Sequence, residues 1–343
     1  MKPDSFLSSV QARVVFISLA LIIFSLIAWF ADSNKWFNHS TVRGTRIDSI
    51  VMDNLWHAPD TSGLPKDETG DEIRYGRALI AHTADYLGPQ GKVKAISNGM
   101  NCQNCHLEAG TKTFGNNYSA VASTYPRFRA RSGTEETIEK RVNDCIERSL
   151  NGQPLPYNSR ELKAMVSYIK WLGANVPKGE IPKGSGLVEL PYLNIPADPA
   201  IGKKLYAEKC TDCHGKSGAG AKDPGAASWT YPPLWGRNSY NDGAGLFRLS
   251  RLAGYIKANM PFGASYAQPQ LTDEEAWHLA AYINSLPRPQ KKFVTDWPDI
   301  SKKPIDHPYG PYADGFSEQQ HKYGPFKPIV ESRNNNTIAN FPL

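Results

Sequence analysis

Cysteine and methionine are scarce in this chain, which has five of each among 343 residues. Met1 is the initiator, so four methionines remain for a folded site. No arginine-rich arm or zinc-finger spacing occurs, and the net charge of +6 is modest, so nothing indicates a nucleic-acid partner. No acid–base dyad is evident either. The few sulfur-bearing residues are therefore the informative positions.

Four of the five cysteines belong to two copies of the motif Cys-x-x-Cys-His. The copies are Cys102-Gln103-Asn104-Cys105-His106 and Cys210-Thr211-Asp212-Cys213-His214. In this signature of c-type haem, each thiol adds to a haem vinyl group and the histidine ligates the iron. A lone Cys-x-x-Cys could be a redox disulfide or half of a zinc site, but two complete copies disfavour both alternatives. The chain is therefore predicted to bind two haem c groups covalently.

The N-terminal part contains an uncharged, mostly apolar run at residues 14–31, preceded by Lys2 and Arg13. The run is long for the hydrophobic part of a signal peptide and just long enough to span a bilayer. We expect a cytoplasmic N-terminus at 1–13 and an uncleaved transmembrane anchor at 14–31; a signal peptide whose cleavage leaves a soluble periplasmic protein is the alternative. Haem c is attached on the exported side, so the globular part is expected on the periplasmic face of the bacterial inner membrane.

Two similar units follow an irregular lead-in at 32–70. Each has a helical pattern before its haem motif, at 71–86 in the first unit, and another at its end. The ends match as Tyr168-Ile169-x-x-Leu172 and Tyr282-Ile283-x-x-Leu286. Ser159, Asp198 and Thr272 are predicted helix N-caps. This repeat resembles the cytochrome c fold, in which the first and last helices pack together and loops wrap the haem.

The resulting prediction is a mainly α protein with two tandem cytochrome c-type domains and an N-terminal membrane helix. The first domain, at 71–176, is expected to hold the catalytic haem, and the second, at 197–287, the electron-transfer haem. Residues 177–196, rich in proline and glycine, are the predicted linker. The long irregular tail at 288–343 is rich in aromatic residues, which argues that it packs onto the domains.

Each haem needs a second axial ligand. In the second unit Met260 lies 46 residues after His214 and precedes a proline, the usual arrangement of methionine-ligated cytochromes c. The first unit has no methionine at that place. Met260 lies 22 residues before Tyr282 and Cys145 lies 23 residues before Tyr168, so the fifth cysteine falls at the distal position of the first haem.

Thiolate ligation of the first haem by Cys145 is therefore the working hypothesis. A thiolate is strongly donating, so this haem is expected to have the lower potential of the two. A buried, inert thiol is one alternative. Ligation by a histidine, His82 or less favourably His57, is another.

Residues 134–150 read as a helix with Thr134 as its N-cap. On it Arg141, Cys145 and Ser149 lie four residues apart on one face, with Arg148 nearby. Upstream, three alternating arginines would point the same way from an extended segment; they are Arg127, Arg129 and Arg131. These charges form either a salt-bridged surface or an anion pocket beside the haem sulfur.

Three stretches carry a family resemblance. They are Arg127-x-Arg129-x-Arg131-x-Gly133-x-x-x-Thr137-x-x-x-Arg141-x-Asn143-Asp144-Cys145-x-x-Arg148-Ser149-x-Asn151-Gly152-x-Pro154-x-Pro156, then Asn259-Met260-Pro261, and the tail at 303–316. The chain from about residue 70 onward resembles the dihaem thiosulfate dehydrogenase family. The resemblance implies an enzyme that couples two thiosulfate ions to tetrathionate with release of two electrons, or runs the reverse reaction.

The resemblance also implies site residues. The first haem would be ligated by His106 and Cys145, and the second by His214 and Met260. Catalytic roles would fall to Cys145 together with two active-site arginines and a serine, which are Arg131, Arg141 and Ser149. Substrates would be thiosulfate and tetrathionate, and the partner a periplasmic or membrane redox protein, such as another cytochrome c or a quinol-linked protein.

Two other functions stay open at this point. A non-catalytic, membrane-anchored dihaem electron-transfer cytochrome would use the arginines only for docking. A dihaem peroxidase needs an open coordination position, and the two distal candidates argue against it. The preferred direction of the thiosulfate reaction is also left open.

Overall fold

The computed structural model describes residues 55–339 together with Ser25. The predicted N-terminal segments 1–13 and 14–31 therefore lie outside the described residues, Ser25 excepted, as does most of the lead-in at 32–70. Among the residues that are described, no helix is both long and apolar enough to cross a membrane.

The described part is mainly helical, with one small β-hairpin. Its α-helices are α1 Glu68–Ala81, α2 Thr83–Leu87, α3 Val121–Thr124, α4 Ile138–Arg148, α5 Arg160–Leu172, α6 Pro199–Lys209, α7 Thr211–His214, α8 Leu249–Asn259, α9 Asp273–Ser285, α10 Glu318–Tyr323 and α11 Lys327–Ala339, with a distorted helical turn at Leu107–Gly110. Short 3-10 helices lie at Thr61–Gly63, Cys102–Asn104, Gly245–Phe247 and Ile300–Lys302. The strands are β1 Arg127–Arg129 and β2 Thr134–Glu136, paired antiparallel.

Three predicted helix starts agree with the structure. The side chains of Ser159, Asp198 and Thr272 accept hydrogen bonds from backbone N–H groups in the first turns of α5, α6 and α9. Such caps satisfy donors that have no partner inside the helix. The predicted helix at 71–86 differs, because Asp67 caps α1 at Glu68 and the helix breaks at His82, so α1 and α2 are separate.

The two units are built around the same close helix crossing. In the first, a Cβ added to Gly76 of α1 would lie 1.9 Å from the carbonyl oxygen of Ala164 on α5. In the second, a Cβ added to Gly202 of α6 would lie 1.9 Å from the carbonyl oxygen of His278 on α9. The two oxygens lie four residues before Tyr168 and Tyr282, which the sequence had paired. The internal repeat is therefore a repeat of helix packing.

Each unit has its own apolar core. The first core joins buried residues of α1 and α5 with Ile146 of α4, and the second joins α8 and α9 with Tyr206 of α6. Residues 177–196, all of which are described, contain no helix or strand and connect the two units.

The tail after α9 packs on the two units. Phe326 and Ile329 are buried in the second core. Asp306 accepts hydrogen bonds from Arg248 and from the backbone N–H of Ser250, at the start of α8. Asp296 reaches Arg148 of the first unit. The tail is therefore attached to both haem units.

The segment before Cys145 differs from its prediction. Thr134 does not cap a helix, because Thr134–Glu136 is strand β2, and α4 begins at Ile138 with Thr137 as its N-cap. Glu136 is buried opposite Arg127 in the hairpin, and its carboxylate lies 4.0 Å from Arg129. Cross-strand pairing thus outweighs the helical propensity of the two glutamates.

Candidate functional site

The first haem-attachment motif is anchored to helix α2. The backbone N–H of Cys102 donates to the hydroxyl of Thr83 over 2.9 Å, and the side chain of Asn101 accepts from the N–H of Ala84 over 2.8 Å. The motif itself is a 3-10 turn closed by a hydrogen bond from the His106 N–H to the Cys102 carbonyl. The cysteine and histidine side chains are thereby fixed relative to the first core.

Both motif histidines are oriented by a backbone carbonyl. Nδ1 of His106 lies 2.5 Å from the carbonyl oxygen of Asn116, and Nδ1 of His214 lies 3.0 Å from that of Pro232. Because a carbonyl only accepts, each Nδ1 carries the hydrogen and each Nε2 keeps its lone pair for a metal. Burial lowers the pKa of His106 to about 4 and lowers that of His214 as well. Both imidazoles are therefore neutral, as metal ligation requires.

One cavity brings the first motif together with α4. Its walls include Cys102, Cys105 and His106 on one element, and Arg141, Cys145 and Ser149 on the other. The remaining wall is mostly apolar and includes Ile80, Val121, Ile138, Val142, Leu150, Met165 and Ile169. Burial raises the pKa of Cys102 to about 11 and that of Cys105 to about 12, as expected in a dry environment. Two thiols, a neutral imidazole and an apolar wall fit a covalently held haem.

Some candidates for the distal ligand of the first haem line this cavity and others do not. Cys145 and the fully buried Met165 both line it. His57 and His82 are exposed and do not line it. The histidine alternative therefore has no support from the geometry of the cavity.

Arg141 is the cation of this cavity. Among the described residues, this half-buried arginine has no ion-pair partner within 4.0 Å and no side-chain hydrogen bond. The sulfur of Cys145, when ionised, raises the pKa of Arg141 more than burial lowers it. The donors of this guanidinium are therefore available to an anion placed beside Cys145. Ser149, one turn after Cys145, closes α4 and also turns toward the cavity.

Arg131 does not line the cavity and does not lie in a strand. It occupies the turn between β1 and β2, where its guanidinium donates to the carbonyl oxygen of Gly243 over 3.2 Å and lies 5.5 Å from the ring of Trp297. Burial, followed by the charges of Arg148 and Arg141, lowers the pKa of Arg131 to about 10. The expected alignment of three arginines is therefore wrong, although Arg131 still feels the charge of Arg141.

Arg148 turns away from the cavity and binds the tail. Its two terminal nitrogens donate to the two carboxylate oxygens of Asp296, each over 2.7 Å. The end of its helix is closed by the second unit, because the fully buried Asn241 donates from its backbone N–H to the Arg148 carbonyl and from its side chain to the Glu147 carbonyl. Neither partner could be found from sequence, since each lies more than 90 residues away.

The second motif lies in short helices of the second unit. Cys210 and the half-buried Met260 pack against the same core, and Met260 directly follows α8. Asn259, just before it, donates to the Phe114 carbonyl oxygen of the first unit over 3.1 Å. Two predicted residues of this site, Cys210 and Met260, thus share one core.

A larger cavity among the described residues lies elsewhere. It has a volume of about 1130 Å³ and is bounded by the tail and the second unit, with Lys303 and Arg288 in its wall. No residue of either Cys-x-x-Cys-His motif lines it. The smaller cavity at Cys145 is the candidate site because it holds the reactive groups.

Comparison with known proteins gives a consistent result. Residues 92–177 match the family described as SoxA/TsdA, cytochrome c domain, and residues 199–287 match the family described as cytochrome c. The chain is 41% identical to a thiosulfate dehydrogenase of Psychrobacter arcticus over 70% of this chain and 71% of the relative. It is 36% identical to one of Stutzerimonas stutzeri, over 69% and 74%, and 37% identical to one of Allochromatium vinosum, over 67% and 83%.

A solved structure gives the same relationship. The chain is similar, at a TM-score of 0.65 and 31% identity, to the thiosulfate dehydrogenase TsdBA from Marichromatium purpuratum. The similarity covers 75% of this chain and 53% of that one, so the chain spans about half the length of that protein.

Proposed function

Because the chain belongs to the thiosulfate dehydrogenase family and binds two haem c groups covalently, we propose that it interconverts thiosulfate and tetrathionate at the first haem. One observation carries this assignment. Arg141, Cys145 and Ser149 line the same cavity as the cysteines and histidine of the first attachment motif. A sulfur atom, a free guanidinium and a hydroxyl are thus available in one enclosed space.

A set of axial ligands for the two haems is part of this proposal. Nε2 of His106 and the sulfur of Cys145 would ligate the first haem, and His214 and Met260 the second. Each haem, when bound, accepts one electron, which suits a reaction that releases two. A thiolate ligand lowers the potential of a haem and a thioether ligand raises it. Electrons would therefore pass from the first haem to the second.

The substrate is a dianion, and two of them must meet. Arg141 lies beside Cys145 without a carboxylate of its own, so its donors can bind a sulfonate group of thiosulfate. Arg131, in the turn of the hairpin, adds a second positive charge that would help to stabilise the bound anions. The hydroxyl of Ser149, which has no hydrogen-bond partner in the described structure, can donate to a second oxygen.

The chemical steps can be written with atoms and electrons balanced. The Cys145 thiolate, released from its place as a haem ligand, would form an S–S bond with the outer sulfur of one thiosulfate, and a cysteine S-thiosulfonate would remain. The two electrons lost in this step would be taken up by the two bound haems, one each. The outer sulfur of a second thiosulfate then attacks the substrate-derived sulfur of that adduct. This releases tetrathionate and returns the Cys145 thiolate. No proton is transferred, so no acid–base dyad is needed. Tetrathionate reduction is the same path in reverse.

Location and partners extend the proposal beyond the cavity. We place the globular part in the periplasm, where c-type haem is attached. The apolar run at 14–31 would anchor it to the inner membrane. A periplasmic cytochrome c or a quinol-linked membrane protein would exchange electrons with the second haem.

The Cys145→Gly variant tests the function. It should keep two haems per chain, measured by haem absorbance, and lose thiosulfate oxidation and tetrathionate reduction in assays with artificial electron acceptors and donors. Met165→Leu is the matched control, because Met165 lines the same cavity, and it should keep both activities. Wild-type turnover by Cys145→Gly would overturn the assignment.

The electron-transfer alternative is separated by a second measurement. Stopped-flow mixing of the oxidised protein with thiosulfate, and of the reduced protein with tetrathionate, should change the haem spectra. A protein that only carries electrons would show no change with either ion. Peroxide turnover would instead indicate a dihaem peroxidase.

A further inference from the structure

Two buried charges join the tail to the helix of Cys145. Arg148 and Asp296 form a bidentate ion pair with both distances at 2.7 Å, and only 7% and 18% of their side chains are exposed. The guanidinium also stacks on Phe293, with its carbon 3.6 Å from the ring centroid. A planar, doubly hydrogen-bonded contact of this kind restricts both partners in distance and in orientation.

This ion pair lies within one helical turn of Cys145. Arg148 lies three residues after Cys145 and directly before Ser149, at the last position of α4. The helix has 11 residues, so a shift of its last turn moves the cysteine and the serine together. Holding Arg148 therefore holds the part of α4 that faces the cavity.

The residue after Asp296 holds the turn that carries Arg131. The backbone N–H of Trp297 donates to the carbonyl oxygen of Arg131 over 2.7 Å, and the Trp297 ring lies under the Arg131 guanidinium. The tail segment 293–297 thus contacts the two elements that carry Cys145 and Arg131. Both elements belong to the first unit, about 150 residues earlier in the chain.

The carboxylate of Asp296 also offsets the positive charge of the neighbouring arginines. Arg148 and Arg141 both lower the pKa of Arg131, and Asp296 opposes them. A buried guanidinium deprived of its carboxylate is strongly unfavourable. Nε of Arg148 already lacks a hydrogen-bond partner. Without Asp296, Arg148 would therefore have to move, and the last turn of α4 would move with it.

We infer that Asp296 is a positioning residue of the first haem site, which holds Cys145 through Arg148 and holds the Arg131 turn through its neighbour Trp297. The inference rests on the proposed ligation of the first haem by Cys145. It assigns the tail a role in the reaction, although no described tail residue lines the Cys145 cavity.

Asp296→Asn tests this role, because it removes the charge and keeps the shape. The ferric first haem should change its electron paramagnetic resonance signature and its potential, while the second haem keeps both. Thiosulfate kcat/KM should fall about 10- to 100-fold, the range expected when reacting groups are displaced by about 1 Å. Most of the loss should appear in kcat, because Arg141 still binds the substrate.

Asp306→Asn is the matched control. Asp306 is also a buried tail carboxylate bound to an arginine, but its partner Arg248 precedes α8 in the second unit. This variant should lower thermal stability and leave the signature and potential of the first haem unchanged. Arg148→Lys, which keeps the charge and loses the planar fork, should behave like a milder Asp296→Asn.

The inference is overturned if Asp296→Asn lowers the melting temperature as Asp306→Asn does, yet leaves the first haem signature and kcat/KM at wild-type values. If Asp296→Asn does not fold, Arg148→Lys tests the inference instead, through the first-haem signature and kcat/KM. Cys145→Gly is measured in parallel. An unchanged first-haem signature in Cys145→Gly would mean that the proposed ligation is wrong. A changed signature in Cys145→Gly with an unchanged one in Asp296→Asn would mean that only the role of Asp296 is wrong.

Discussion

The hydroxyl of Tyr255 donates a hydrogen bond to the carbonyl oxygen of Asn104 over 2.9 Å. Tyr255 is a buried residue of α8, the helix that leads directly to Met260. Asn104 lies between the two cysteines of the first attachment motif. One hydrogen bond therefore links the helix that precedes Met260 in the second unit to the attachment turn of the first unit.

Tyr255→Phe is expected to weaken this contact between the units. The substitution keeps the ring and leaves the Asn104 carbonyl without its partner, at a cost of about 0.5–1.5 kcal/mol in the free energy of unfolding. The melting temperature, followed by circular dichroism, should fall by a few degrees. Tyr157→Phe at an exposed position is the control. An equal melting temperature for both variants would show that this bond contributes nothing.

Gly202→Ala should loosen the helix crossing of the second unit. Its new methyl carbon would lie 1.9 Å from the His278 carbonyl oxygen, so the helices would have to separate. We expect a loss of about 1–3 kcal/mol in the free energy of unfolding, measured by denaturant titration. Gly245→Ala, with no atom within 4 Å of the added carbon, should be nearly neutral. Similar losses in both variants would contradict the packing argument.

Arg141→Gln should impair substrate binding. A charge-assisted hydrogen bond contributes about 1.5–3 kcal/mol, so kcat/KM for thiosulfate should fall about 10- to 150-fold, mainly through KM. Steady-state assays with an artificial acceptor measure the effect. Arg127→Gln removes an equal charge from an exposed position of β1 and should keep wild-type kinetics. Equal changes in the two variants would indicate a general effect of net charge.

Met260→Leu should lower the potential of the second haem and leave that of the first unchanged. The thioether stabilises ferrous iron, and a leucine cannot replace it. Spectroelectrochemical titration resolves the two haems and gives both potentials. Met165→Leu serves as the comparison, because that methionine lines the Cys145 cavity in the first unit. A second-haem potential that does not move would exclude Met260 as the ligand.

His307 should make the folded protein sensitive to acid. Burial lowers the pKa of His307 to about 3, and the charges of Lys303, Arg131 and Arg248 act in the same direction, whereas the Tyr309 carbonyl opposes them. The folded protein therefore binds this proton less readily than the unfolded chain. The contribution of His307 to stability is complete above about pH 6.5 and is lost as the pH falls towards 3.

The measurement for His307 is the melting temperature as a function of pH. His307→Asn should lower stability overall but show a smaller loss between pH 6.5 and 4 than the wild type. His57→Asn, at an exposed position, should follow the wild-type profile. Parallel profiles for all three proteins would rule out His307 as a source of the acid sensitivity.

Much of the site could be predicted because its signals are local. The two Cys-x-x-Cys-His motifs, the N-caps Ser159 and Thr272, and the spacing of Arg141 and Cys145 all lie within a few turns of chain. The hairpin at 127–136 could not be predicted, because cross-strand pairing decided against the helical propensity of its glutamates.

The other contacts that could not be predicted involve distant residues or backbone groups. Arg148 was expected beside the haem sulfur, but its carboxylate partner lies 148 residues later in the chain. The carbonyls of Asn116 and Pro232, which orient the two histidines, are backbone groups and leave no side-chain signal. Only the folded chain brings these groups together.

Asn241 gives the architecture a consequence for protein engineering. It belongs to the second unit and is fully buried, yet it supplies the hydrogen bonds that close the helix of Cys145. A first domain excised at residue 176 would lose this closure and would expose the last carbonyls of that helix. The two haem units are therefore not interchangeable modules. A chimera that transplants the Cys145 site must bring along the loop around Asn241.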